Sequence, residues 1–143
     1  MSDIEMRLAQ ERRFVERRIE ALREAIEQGR AEPGDAGRLA TAMYELKSMV
    51  LSPVTDEELL ETVRWAHAAD PSDPKPLEVL VGALCVARVG AGDSRWDAEL
   101  DAATRELEAR TPDAPVLDLV RRARSDLQSL LEDNRPRRGE RGA

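Results

Sequence analysis

Aromatic side chains are scarce in this 143-residue chain: Phe14, Tyr44, Trp65 and Trp96 are the only ones. A core without aromatic bulk has to be filled by alanine and leucine. Those residues form helices, and the β-branched residues are too few and too scattered for a sheet. The chain has a single cysteine, Cys85, and a single histidine, His67. One thiol excludes an internal disulfide and fits a reducing compartment, and one imidazole with one thiol cannot make a structural zinc site. No apolar run approaches the 18 residues that would read as a membrane span, and the charged start, residues 1–7, lacks the apolar segment of a secretion signal. The expected location is the cytoplasm. Gly90-Ala91-Gly92 has neither the following Lys-Thr or Lys-Ser nor the preceding strand of a phosphate loop, and reads as a helix stop. With no nucleophile paired to a base, no cofactor motif and no metal set, the expectation is a protein that is not an enzyme and carries no cofactor.

Positive charge is also in deficit, the net charge being −7, which argues against nonspecific binding of the body to nucleic acid or anionic membrane. Residues 134–143 are the exception. Arg135, Arg137, Arg138 and Arg141 against Glu140 give this tail +3 and leave −10 for the rest. Pro136, Gly139 and Gly142, with no apolar periodicity, predict a disordered basic tail.

What the chain does have is a spacing. Pro33, Pro74 and Pro115 stand 41 residues apart, and laying 33–73 over 74–114 matches Leu39 with Leu80, Ala42 with Ala83, Asp56 with Asp97, Glu58 with Glu99, Leu59 with Leu100 and Arg64 with Arg105. Repetition at this period marks helix pairs that stack to share a core. The expected fold is all-α, about six helices: two stacked antiparallel pairs flanked by a long N-terminal helix and a C-terminal capping helix. The domain reading is an amphipathic helix in 1–30, a helical-repeat domain in 33–131 and the tail in 134–143.

The first helix, residues 2–28, carries Ile4, Leu8, Val15, Ile19, Leu22 and Ile26 as a narrow stripe in a mixed-sign surface. The first five form a candidate dimer face. A second helix, 36–50, is capped by Asp35 and turns Leu39, Met43, Leu46 and Val50 inward. Thr55 to Glu58 reads as a capping box with Val54 and Leu59 as its hydrophobic staple, which predicts a helix over 56–69. The fourth helix, 76–89, is the most apolar, with Leu77, Leu80, Val81, Leu84, Cys85 and Val86 wrapping more than one face, and should be central. Asp93 or Ser94 caps a fifth helix running to residue 110, entered by Trp96 and turning Leu100, Ala103 and Leu107 inward. The last, 115–131, turns Leu119, Val120, Ala123, Leu127 and Leu130 inward.

Helix, turn, helix and a proline link resemble the tetratricopeptide repeat. Val81-Gly82-x2-Cys85 stands where that pattern has L-G-x2-Y, Ala103-x3-Leu107 where it has A-x3-F, and Pro115 at the final proline; the first unit offers Ala40-Thr41-x2-Tyr44, Thr62-x3-Ala66 and Pro74. The period departs from the family's 34, with the additional residues falling between the helices of each unit, and the leading Trp is absent. The resemblance implies a partner-binding groove lined by the first helix of each pair: Arg38, Ala42 and Glu45, then Val79, Ala83 and Val86. Either a partner protein segment or the N-terminal helix itself would fill it. The resulting expectation is a noncatalytic adaptor or small regulatory subunit that binds protein. The alternative is a dimeric nucleic-acid-associated regulator, with a coiled coil at its N-terminus and the arginine tail on phosphate.

Overall fold

A computed structural model describes residues 2–49, 52–92 and 94–133, with Ala91 and 126–133 as backbone only. These residues form six α-helices and no strand: α1 (Asp3–Glu27), α2 (Asp35–Ser48), α3 (Asp56–Ala69), α4 (Pro74–Ala91), α5 (Asp97–Arg110) and α6 (Pro115–Asp133). The all-α reading holds.

Local chemistry sets most of the helix ends. Ser2 starts α1 with a reciprocal capping box, its hydroxyl accepting the Glu5 N–H at 3.2 Å while the Glu5 carboxylate accepts the Ser2 N–H at 3.2 Å. At α3 the Thr55 hydroxyl accepts the Glu58 N–H at 3.1 Å, and Val54 and Leu59 are both buried. Asp73 caps α4 by accepting the Lys75 N–H at 3.0 Å, ahead of Pro74 in the first turn, and Gly92 ends α4 in the left-handed conformation.

Two expected caps are corrected. α2 is preceded by Gly34 at φ +87°, a conformation glycine adopts without cost, so Asp35 lies inside the first turn. Its carboxylate accepts the Glu32 N–H at 2.9 Å and the Arg38 guanidinium at 2.8 Å, and these bonds hold it below the usual carboxylate range. α5 starts at Asp97 with Trp96 as its cap residue and no side-chain cap bond. Ser94 therefore stands outside the helix, and Asp93 lies outside the described residues, as does Val50.

α2, α4 and α6 form one row, α2 packing on α4 and α4 on α6. α3 packs against both α2 and α4, α5 packs against α4, and α1 packs against α2. α4 is thus the hub, and its Leu77, Val81 and Leu84 are fully buried together with Leu60, Leu107 and Leu117 of the neighbouring helices. Each such side chain contributes about 1.5–3 kcal/mol. Close approach is allowed by small residues: a Cβ added to Gly37 of α2 would stand 3.2 Å from the Asp73 carboxylate that caps α4.

Val86 and Leu119 do not face the core as expected; they are 44% and 40% exposed. Each lies two positions from a fully buried leucine, Leu84 and Leu117, and two positions are about 200° around a helix. In α6 the inward residues are Leu117, Val120 and the half-buried Ala123. The side chains of Leu127 and Leu130 are outside the described residues.

Candidate binding cleft

α1 and α3 lie side by side on α2 and leave a cleft of about 730 Å³ between them. Its residues are spaced as single helix faces: Arg23, Ile26 and Glu27 on α1, and Glu58, Glu61, Thr62 and Trp65 on α3. The buried Leu39 of α2 forms the floor. Trp65 is 43% exposed, so its indole presents apolar surface at the rim. Three carboxylates line the opening against one guanidinium, that of Arg23, whose Nη2 donates to Met43 Sδ at 3.6 Å. The Thr62 hydroxyl donates to the Glu58 carbonyl at 3.0 Å, so its proton is held by the backbone. The cleft therefore offers an apolar floor and an acidic rim.

The opposite flank of α3 is closed. Arg64 holds Glu99 of α5 through two parallel bonds of 2.8 and 2.5 Å, and the Glu99 bond raises the Arg64 pKa further above its ordinary value. Arg95 reaches Glu57 at 2.9 Å, and His67 Nε2 lies 3.6 Å from Glu106. Arg110 donates to the Ser72 carbonyl at 2.7 Å. None of the ion pairs among the described residues joins α1 to α3.

The residues expected to line a groove are not brought together on one open surface. Ala42, Val79 and Ala83 are buried in the core, where small and β-branched side chains are consumed by the packing around α4. Arg38 and Glu45 are exposed, Arg38 being engaged by Asp35 and the Pro33 carbonyl, and Val86 is exposed. The expected dimer face is also divided: Val15 and Ile19 are buried and Leu22 half-buried, whereas Ile4 and Leu8 are exposed. Arg135, Arg137, Arg138 and Arg141 lie outside the described residues.

None of the cleft residues was marked by the sequence as a recognition residue: Leu39 and Ile26 read as inward positions and Glu58 as part of a cap. The missed signal is the 41-residue spacing carried one step upstream, which sets Arg23 on Arg64, Ala25 on Ala66 and Ile19 on Leu60. That alignment makes α1 the counterpart of α3. Cys85 is buried, and burial pushes its thiol pKa up while Arg124 pulls it the other way. No group of three or more His, Cys, Asp or Glu among the described residues is placed to hold a metal ion. No family model, curated protein or solved structure matches the chain.

Proposed function

We propose that this chain is a noncatalytic, tetratricopeptide-like helical interaction module, an adaptor or small regulatory subunit, whose partner is a basic amphipathic segment seated in the cleft between α1 and α3. The observation that carries this reading is the combination of a half-exposed Trp65, an apolar floor of Leu39 and Ile26, and the carboxylates of Glu27, Glu58 and Glu61 around one opening. Apolar residues at helical spacing would enter the floor, and lysines or arginines on the flanks would meet the rim. The buried aromatic contact supplies most of the affinity; the rim sets orientation and rate of encounter.

The test is titration calorimetry with a synthetic leucine–lysine amphipathic helix about five turns long, beside the same peptide with glutamate in place of lysine. The lysine peptide binds, and binding weakens with added salt. Trp65→Ala lowers affinity about thirtyfold, the ~2 kcal/mol of an aromatic anchor. Glu58→Lys with Glu61→Lys abolishes binding, whereas reversing Arg38 and Glu45, which lie outside the cleft, leaves it unchanged. Equal binding of the two peptides, or full binding by the double lysine variant, overturns the reading.

A further inference from the structure

We infer that the first half of α1 is a self-association arm that pairs antiparallel with the same segment of a second copy of this chain, independently of what the cleft binds. One contact and two shared cavities show how α1 lies on α2: Arg23 reaches Met43, Ile26 and Leu39 line the same cleft, and Val15 and Met49 line a second, smaller notch. The two helices are therefore antiparallel, and α2 ends beside the middle of α1. α1 has 25 residues and α2 has 14, so α1 extends about 16 Å beyond its support. The stripe buried at Val15 and Ile19 continues uncovered onto this extension, where Ile4 is 71% and Leu8 48% exposed, with Phe14 69% exposed at its base. A helix of about twelve residues is marginal in water without tertiary support.

Charge identifies the occupant. Taken as a seam through Ile4, Leu8, Glu11 and Val15, the extension carries Glu5 and Arg12 on one flank and Arg7 on the other. In a parallel pair Arg7 of one copy meets Arg12 of the next, a like-charge contact on both sides. In an antiparallel pair each flank meets the same flank reversed, so Glu5 comes opposite Arg12 twice. Arg12 also bridges Glu16 at 3.2 Å within its own helix, which holds its side chain along that flank. The same register brings Ile4 of one copy to Phe14 and Val15 of the other, at the notch of about 400 Å³ that Met49 closes from below. The arrangement is two-fold symmetric and stops at two chains.

Sedimentation equilibrium of the full chain over a concentration series tests the arm. The wild type gives a reversible dimer. Ile4→Lys with Leu8→Lys gives a monomer whose circular dichroism and thermal midpoint remain those of a folded chain, because both side chains are exposed and neither belongs to the core. Arg12→Glu weakens the dimer about tenfold, since symmetry places the change twice, and so does Glu5→Arg. An equimolar mixture of the two variants associates as a heterodimer more tightly than either variant alone, short of the wild type because Glu5→Arg also removes the Glu5 carboxylate from the Ser2 capping box. A wild-type chain that stays monomeric at every concentration overturns the proposal. So does an Arg12→Glu variant that associates more tightly, which is the signature of a parallel pair.

Discussion

Helix α3 has two neighbours in its own layer, and the two flanks are finished differently. Towards α5 it is stitched by Arg64 to Glu99 and by Glu57 to Arg95 just ahead of that helix, with His67 3.6 Å from Glu106. Towards α1 the residues at the equivalent positions, Arg23 and Glu58, both line an open cleft. Arg23 stands 41 residues before Arg64, and Glu58 stands 41 before Glu99. The same two residue types thus close one seam and leave the other open. The layer below differs too: Arg23 donates to the sulfur of Met43, and the position 41 residues after Met43 is Leu84, which offers no acceptor. The two seams thus differ both in the pairing across them and in the side chain of the supporting helix beneath the arginine.

The largest break in this comparison comes from the packing beneath the closed seam. Leu107→Ala in α5 removes a fully buried side chain and is expected to cost about 3 kcal/mol. The half-buried Leu22→Ala, beneath the open seam, costs about 1 kcal/mol. Urea midpoints of the two variants measure the gap, and equal losses would make the seams energetically alike.

Next in size are the stitches. A double-mutant cycle on Arg64 and Glu99 should give a coupling of about 0.5–1 kcal/mol, as expected of a two-pronged surface pair, and the same cycle on Arg23 and Glu58 should give about zero. Met43→Leu sharpens the point. It is nearly volume-conserving, releases Arg23 towards Glu58 and should raise that second coupling to about 0.5 kcal/mol. It should also lower affinity for the basic peptide, read by the same calorimetry.

The smallest effect concerns the row that both seams stand on. Burial raises the Cys85 thiol above its ordinary 9.0, and burial, with the Cys85 charge second, raises the Tyr44 phenol. Both groups are neutral in the fold, so their contribution is whole below the ordinary values and is lost as pH rises through the raised ones. Thermal midpoints between pH 8 and pH 10 should fall in the wild type and fall less in Cys85→Ala, with the cycle couplings unchanged over that range.

The helices were legible because their punctuation is local. Ser2, Thr55, Asp73 and the proline links act within a turn of themselves, so α1, α3 and α4 could be placed from short stretches of sequence. α5 was misplaced because Asp93 and Ser94 are good cap residues, whereas the structure starts the helix at Trp96, which is buried and stacked under Arg95 at 4.0 Å. That choice is made by packing and not by cap chemistry. Val86 was misassigned because a mostly apolar helix gives no contrast by which to orient it, and Leu119 because it stands in a short apolar stretch between the buried Leu117 and Val120. The cleft was illegible for a stronger reason. It is a place where two helices fail to meet, and its floor, Leu39, lies on a third helix.

The length of α1 has a mechanical consequence. Its one main seat is α2, and from that seat it runs as a stiff rod whose lower half forms a wall of the cleft and whose upper half stands clear of the body. Such a rod divides its stability in two. The lower half is anchored by Val15, Ile19, Leu22 and Ile26, whereas the upper half rests on its own backbone hydrogen bonds and the Ser2 cap, so it opens from the tip while its seat stays formed.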